Sequence, residues 1–162
     1  MSGKRWLILA GMILGLGWAV AIVWMPQRLD LPFIMAAVAV PGALIAPGLF
    51  LLLVVARLAQ RRFFDDTLID GQPYPPGSGA AVDQRVLTNT VEQLVLALVI
   101  WPFVANSLGG AVVLAMGFGF TAARVLFWIG YHISPPLRSF GFAATFYPTI
   151  VAAVWSVMAW MG

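Results

Sequence analysis

Three polar residues with regular spacing open one of the long apolar segments of this chain. Arg85, Asn89 and Glu92 stand at positions i, i+4 and i+7, so on a helix they share one face. Glu92 is the only glutamate in the sequence. An ionisable residue inside a membrane span is costly and rarely faces lipid, so it marks a candidate functional site by default. The spacing therefore predicts a binding site on this face.

The following apolar segment carries a second stripe, in which Arg124, Phe127 and Tyr131 stand at i, i+3 and i+7. Glu92 lies seven residues inside Arg85, and Arg124 lies seven residues before Tyr131 on an antiparallel neighbour. Both therefore reach a depth of roughly 10 Å from the same side, at about 1.5 Å per residue. Either charge alone costs several kcal/mol in hydrocarbon, so we predict that Glu92 and Arg124 pair. The pair either contributes to a site or only fixes the register of the helices.

The composition is that of an integral membrane protein. Hydrophobic residues make up 62% of the 162-residue chain and charged residues only 9%, against about 25% charge in soluble proteins. The absence of cysteine excludes disulfides, thiolate metal sites and a cysteine nucleophile, and the single histidine, His132, excludes a histidine-rich metal site within one chain. The net charge of +3 requires no nucleic-acid partner.

Hydropathy and turn residues predict an all-α bundle that forms a single membrane domain over residues 1–162. The predicted spans are residues 6–25, 32–58, 85–104, 111–133 and 142–161, with a polar loop over 59–84. Ser134 to Arg138 are expected to break the helical structure before the last span. Gly11 and Gly15 form a G-x-x-x-G pair, which indicates either close helix packing or chance spacing.

The cations predict the orientation. With the N-terminus in the cytoplasm, only Arg28 falls in an outer loop and Arg124 lies within a span, while all other cations lie on or near the inner side. Arg57, Arg85 and Arg138 are then expected to cluster at the cytoplasmic rim, although each one alone is as well explained as a topology signal. One lysine against eight arginines, with abundant Ala, Gly and Pro, indicates a bacterial source and hence the inner membrane.

Two motifs in order resemble the MAPEG superfamily, the membrane-associated proteins of eicosanoid and glutathione metabolism. The first is Arg85-x-x-x-Asn89-x-x-Glu92. The second runs from Arg124 through Phe127, Gly130 and Tyr131 to Leu137-Arg138-Ser139. The resemblance covers residues 32 to the C-terminus. It implies a four-helix protomer, a homotrimer, and glutathione bound between subunits near the cytoplasmic side. Residues 6–25 are then an extra N-terminal transmembrane helix.

The resemblance also implies roles for individual residues. The residues expected to bind glutathione are Arg57, Arg85, Asn89, Glu92, Arg124 and Tyr131. Arg138 matches the arginine that stabilises the glutathione thiolate, and Ser139 is its neighbour in the prostaglandin enzyme, so both are expected to be catalytic. These residue types suit the ligand, because guanidinium groups bind carboxylates bidentately and a nearby cation favours a thiolate.

The function that the resemblance implies is a glutathione-dependent transferase or peroxidase acting on a lipophilic electrophile or lipid from the bilayer. The alternative is a non-catalytic accessory subunit or scaffold with the same fold. Phe127 favours this alternative, because it stands where relatives carry a tyrosine or histidine. A transporter is a more distant possibility, since the spans show no inverted repeat.

Overall fold

The chain folds into five long helices in the computed structural model, which describes residues 3–162, with side chains from residue 5 onward. They are α1 (Gly3–Trp24), α2 (Ala36–Phe63), α3 (Gly79–Leu108), α4 (Gly110–Ile133) and α5 (Pro135–Met161), with one 3-10 turn, Met25–Gln27, after α1. All five are long and apolar enough to cross a membrane. The predicted all-helical bundle with five membrane-spanning helices is confirmed.

The polar loop is shorter than the sequence predicted, because the helices on both of its sides are longer. α2 continues to Phe63, and α3 already begins at Gly79, so residues 64–78 form the connection. The side-chain oxygen of Ser78 accepts a hydrogen bond from the backbone N–H of Ala81 at 3.1 Å and caps α3. Asp83, expected in the loop, therefore stands on a helix.

The last helix also begins earlier than predicted. The break expected over residues 134–138 is confined to Ser134, whose backbone is extended (φ −159°, ψ 126°), and α5 starts directly at Pro135. Proline is favoured at the first helical position, where a backbone N–H has no intrahelical partner. Arg138 and Ser139 consequently lie at the beginning of α5 and are held on a helix.

A single glycine joins α3 to α4. Gly109 has φ +101°, a backbone conformation that side-chain-bearing residues rarely adopt. One residue is enough to reverse the chain here, so the C-terminal end of α3 lies beside the N-terminal end of α4.

α1 packs against α5 through small residues. Gly11, Gly15 and Ala19 are all buried at a spacing of four. A methyl group at Gly11 would lie 2.7 Å from the carbonyl oxygen of Pro136, and one at Gly15 would collide with Ala143. The close packing that the G-x-x-x-G pair indicated is therefore present. Because Gly11 meets the start of α5 and Gly15 a later part, the two helices run parallel.

Helices α2 to α5 surround the main hydrophobic core. Trp101 is buried there, and its indole N–H donates a hydrogen bond to Thr149 Oγ1 at 3.2 Å. A second, smaller cluster around Phe50 and Phe127 fills the end at which α1, α3 and α5 begin. Arg57, Arg85 and Arg138 lie toward this end, which we call the arginine end.

Candidate functional site

A cavity of about 420 Å³ opens at the arginine end, within the roughly 300–1,000 Å³ typical of ligand sites. It lies between α1, α3, α4 and α5. Its lining residues are Met12, Asn89, Phe127, Tyr131, Arg138, Ser139 and Phe142. Four of the eight site residues expected from the sequence, Asn89, Tyr131, Arg138 and Ser139, thus share one cavity.

Arg138 supplies the positive charge of this cavity. Its guanidinium carbon lies 4.9 Å from the centre of the Tyr131 ring, a cation–π arrangement that orients the group. The backbone of Arg138 packs directly on Gly130, where any side chain would collide with it. Close packing of α4 and α5 at this glycine therefore fixes the position from which the arginine extends.

Ser139 lies beside Arg138 with its hydroxyl already engaged. Its Oγ donates a hydrogen bond to the backbone carbonyl of Pro135 at 2.9 Å. The oxygen lone pairs stay available, so in this orientation Ser139 accepts a hydrogen bond from a ligand rather than donating one. A thiol S–H is one donor that would suit it.

Asn89 connects the cavity to two charged residues. The Nη1 of Arg124 donates to Asn89 Oδ1 at 2.7 Å, and Asn89 Nδ2 donates to Glu92 Oε2 at 3.2 Å. The prediction that Glu92 and Arg124 pair directly is therefore wrong. The two lie on facing helices as expected, but the amide of Asn89 stands between them and uses its acceptor for one and its donor for the other.

Arg124 is fully buried, with a relative accessibility of 0%. Besides the bond to Asn89, its Nε donates to Thr145 Oγ1 on α5 at 3.0 Å, and the guanidinium stacks over Phe127 at 4.4 Å. Its Nη2 has no hydrogen-bond partner among the described residues. A buried cationic donor left without an acceptor costs free energy.

Arg85 and Glu92 do not line the cavity. Both are exposed on the outer face of α3, with Asn89 between them. Their common face, predicted from the spacing, is observed, but it is turned partly away from the bundle. Their roles as ligand contacts stay predictions.

Arg57 is engaged elsewhere at the arginine end. Its Nε donates to Asp83 Oδ2 at 3.0 Å, and the indole N–H of Trp128 donates to Asp83 Oδ1 at 2.7 Å. Arg61 Nε lies 3.0 Å from the same Oδ2. The buried carboxylate thus joins α2, α3 and α4, and we call this group the Asp83 cluster. Arg57 stabilises the bundle here, and its contact with glutathione stays a prediction.

Several residues that build the site were not predicted from the sequence. Phe142 follows Arg138 by one helical turn, and a helix starting at Pro135 would have indicated it. Thr145 binds Arg124 from α5, and no local pattern identified it. Met12 reaches the cavity from α1, a contact that depends entirely on how α1 docks on α5.

The arrangement suits an amphipathic anion. Arg138 offers positive charge, and Asn89 and Tyr131 are polar groups, whereas Arg124 lies buried behind Asn89 and does not line the cavity. Phe127 and Phe142 provide apolar walls. Among the described residues, no three metal-ligand side chains come together. The chemistry available in the cavity is that of the Arg138 guanidinium, of hydrogen-bonding side chains and of aromatic rings.

Comparison with known protein families gives one match. The model of the MAPEG family matches residues 35–158, which cover α2, α3, α4 and most of α5 but not α1. No curated protein and no solved structure shows significant similarity to the chain. The matched region contains both sequence motifs and every site residue except Met12. This chain is a membrane-helix protein that belongs to the MAPEG family, which includes glutathione transferases and related membrane proteins.

Proposed function

We propose that the protein is a glutathione-dependent transferase or peroxidase acting on a lipophilic electrophile. The observation that carries this proposal is the convergence of Asn89, Tyr131, Arg138 and Ser139 from three helices on one cavity. Glutathione has two carboxylates, one ammonium group and a thiol. The guanidinium groups suit the carboxylates, the Glu92 carboxylate suits the ammonium, and Arg138 suits the thiolate.

Arg138 would act on the thiol by electrostatics. A cation beside a thiol favours the thiolate, which is the nucleophilic form. In the transferase reaction the thiolate sulfur forms a bond to the electrophilic carbon, and the leaving group departs with its bonding electron pair. The thiol proton is released to solvent. Ser139 Oγ holds the sulfur in place by accepting a hydrogen bond from the thiol before ionisation.

The buried Arg124 supports anion binding behind Asn89. Its Nη2 has no hydrogen-bond partner among the described side chains, and no carboxylate of those side chains lies within ion-pair distance of it. Because Arg124 does not line the cavity, it would act on a bound anion through its positive charge and through Asn89, whose amide oxygen it holds.

We further propose a homotrimer with its arginine end at the cytoplasmic face of a bacterial inner membrane. Arg85 and Glu92 stand exposed on a membrane-spanning helix, where a charged group facing lipid is costly. A second copy of the chain would cover them and complete the glutathione site between subunits.

The second candidate is a non-catalytic accessory subunit with the same fold. Phe127 favours it, because this residue presents an apolar ring to the cavity at a position that carries a hydroxyl or imidazole in relatives. Such a protein would keep the trimer and lose turnover.

Glutathione binding and turnover by the purified protein test the proposal. Calorimetry in detergent is expected to detect glutathione binding, and a chlorodinitrobenzene is expected to be conjugated with release of chloride. Arg138→Ala should lower kcat at least about tenfold while changing glutathione affinity little, because the thiolate interaction strengthens toward the transition state. Arg28→Ala, at the opposite end of the bundle, is the matched control and should leave both unchanged.

The results separate the two candidates. If the protein binds glutathione but shows neither the ultraviolet absorbance of a bound thiolate nor turnover, the accessory subunit becomes the better interpretation. No binding at any concentration up to that of cellular glutathione would refute a glutathione site altogether.

A further inference from the structure

The N-terminal helix contributes directly to the cavity. α1 lies before the segment that the family model matches, yet its Met12 is one of the residues that line the site. An additional helix that only anchored the chain in the membrane would not need a side chain in the cavity beside Arg138 and Ser139. The position of Met12 therefore requires its own explanation.

Gly11 sets this position. The absence of a side chain there lets α1 approach the first turns of α5, so that a methyl group would lie 2.7 Å from Pro136 O and 3.5 Å from Ser139 Cβ. Met12 is the next residue in the chain and consequently stands beside the pair formed by Arg138 and Ser139. The close docking of α1 on α5 at Gly11 therefore also places Met12 in the cavity.

The chemistry of the cavity differs from one wall to another. Arg138, Ser139 and Asn89 are polar, whereas Phe127 and Phe142 are apolar. Met12 adds a flexible, unbranched thioether to the apolar part, and 37% of its surface is exposed. Methionine adapts to apolar groups of varied shape, which suits a surface that contacts lipophilic molecules.

We propose that Met12 lines the subsite for the lipophilic co-substrate and that α1 thereby determines which electrophiles the enzyme accepts. The inference rests on the proposed glutathione-dependent function. The polar wall holds glutathione with its sulfur near Arg138, and the group that becomes attached to the sulfur lies against Met12 and the phenylalanine rings. Selectivity for this group then depends on a helix outside the matched segment.

The absence of cysteine from the sequence makes a direct test possible. Met12→Cys introduces a single thiol at the cavity wall, and Ile13→Cys introduces one on the neighbouring residue, which is 68% exposed on the outside of α1. Both variants are labelled with N-ethylmaleimide in detergent, alone and with S-methylglutathione or S-hexylglutathione. Neither ligand has a free thiol that would consume the reagent.

We expect saturating S-hexylglutathione to slow labelling at position 12 at least about fivefold, while S-methylglutathione slows it much less. At saturation the two ligands differ only in the length of the S-alkyl group, so a hexyl chain that lies against this wall should shield the thiol from the reagent, whereas a methyl group is too short to cover it. Labelling at position 13 should be unaffected by either ligand. Calorimetry on the same samples establishes that both ligands are bound.

A second variant tests the same inference without a reactive thiol. Met12→Trp should reduce the preference for S-hexylglutathione over S-methylglutathione several-fold, because the larger side chain occupies the subsite. Ile13→Trp should leave the preference unchanged.

The possible failures are distinguishable. Binding of both ligands with equal labelling at position 12 and an unchanged preference in Met12→Trp would overturn the role of α1 and leave the glutathione site intact. If neither S-methylglutathione nor S-hexylglutathione binds the unmodified protein, both the role of α1 and the glutathione site are overturned.

Discussion

The variant Arg124→Met is expected to affect glutathione binding far more than the stability of the fold. The guanidinium is fully buried, donates to Asn89 and Thr145, and has no carboxylate of the described side chains within ion-pair distance. Such a charge is costly for the fold unless a ligand compensates it. We therefore expect Arg124→Met to leave the unfolding free energy nearly unchanged while it weakens glutathione binding, because Asn89 loses the group that holds its amide and the cavity loses a nearby positive charge.

The magnitude follows from the contacts of this side chain. Its two hydrogen bonds contribute about 1.5–3 kcal/mol each, as expected for a charged donor. The stacking over Phe127 contributes up to about 2 kcal/mol. Desolvation of the ion costs several kcal/mol, and the unpartnered Nη2 costs about 1–3 kcal/mol more. These contributions nearly cancel, so replacement by an apolar chain of similar length should change stability by less than about 2 kcal/mol.

Thr145→Val is the informative companion variant. It removes the acceptor of Arg124 Nε and the weaker hydrogen bond from the Thr145 hydroxyl to the backbone carbonyl of Gly141, and we expect it to cost about 2–3 kcal/mol because a buried charged donor loses its partner. In the Arg124→Met background the same replacement should cost almost nothing. The measurement is unfolding by sodium dodecyl sulfate in detergent micelles, followed by tryptophan fluorescence, for the four proteins of the cycle.

Two results would refute this reasoning. A loss above about 4 kcal/mol for Arg124→Met is the size expected when a buried ion pair is broken, and would mean that a carboxylate compensates the charge in the assembled protein. Equal costs of Thr145→Val in both backgrounds would mean that the hydrogen bond contributes nothing. Glutathione at about 100 times its Kd should stabilise the wild type by about 2.7 kcal/mol and Arg124→Met by much less.

Two further predictions concern the packing around the site. Asp83→Asn should destabilise the bundle by about 2 kcal/mol, because the buried carboxylate loses its charge. Arg57→Ala should lower the stability less, since the side chain of Arg57 is 46% exposed and can be hydrated. Thermal unfolding would contradict this order if Arg57→Ala lost more stability than Asp83→Asn. Gly15→Leu should separate α1 from α5 and thereby lower both thermal stability and the affinity for S-hexylglutathione. Gly17→Leu is the control, because a side chain at Gly17 would meet no atom within 4 Å, and it should change neither quantity. Equal effects of the two leucines would exclude specific packing at Gly15.

The sequence predicted the number and type of the elements because each helix is a long apolar segment. It placed the start of α2 four residues too early and the starts of α3 and α5 too late, and for α3 and α5 the reasons were visible in the residues. Ser78 is a good N-cap, and Pro135 suits the first position of a helix rather than the interior of a break. The glycine- and proline-rich segment before residue 79, together with Asp83, extended the predicted loop, and the adjacent prolines at 135 and 136 favoured a break over a helix start.

The site was predicted in part because helical periodicity fixes which residues share a face. Periodicity also gave equal depths for Glu92 and Arg124, and the two do lie on facing helices. Depth does not fix the rotation of one helix relative to the other, so the intervening Asn89 was not foreseen. Met12 and Asp83 depend on tertiary contacts between distant segments, and no local pattern contains that information.

The parallel docking of α1 on α5 has a consequence for how the protein is made. α1 is synthesised before α5, with three other helices between them, so its glycine face enters the bilayer without its partner. At the usual rate of translation this interval is on the order of ten seconds. During it, α3 and α4 already carry Asn89, Arg124 and Tyr131, but the wall formed by Arg138, Ser139 and Met12 does not yet exist. A ribosome stalled before α5 would leave a chain in the membrane with most of its polar residues inserted and no cavity to hold a ligand.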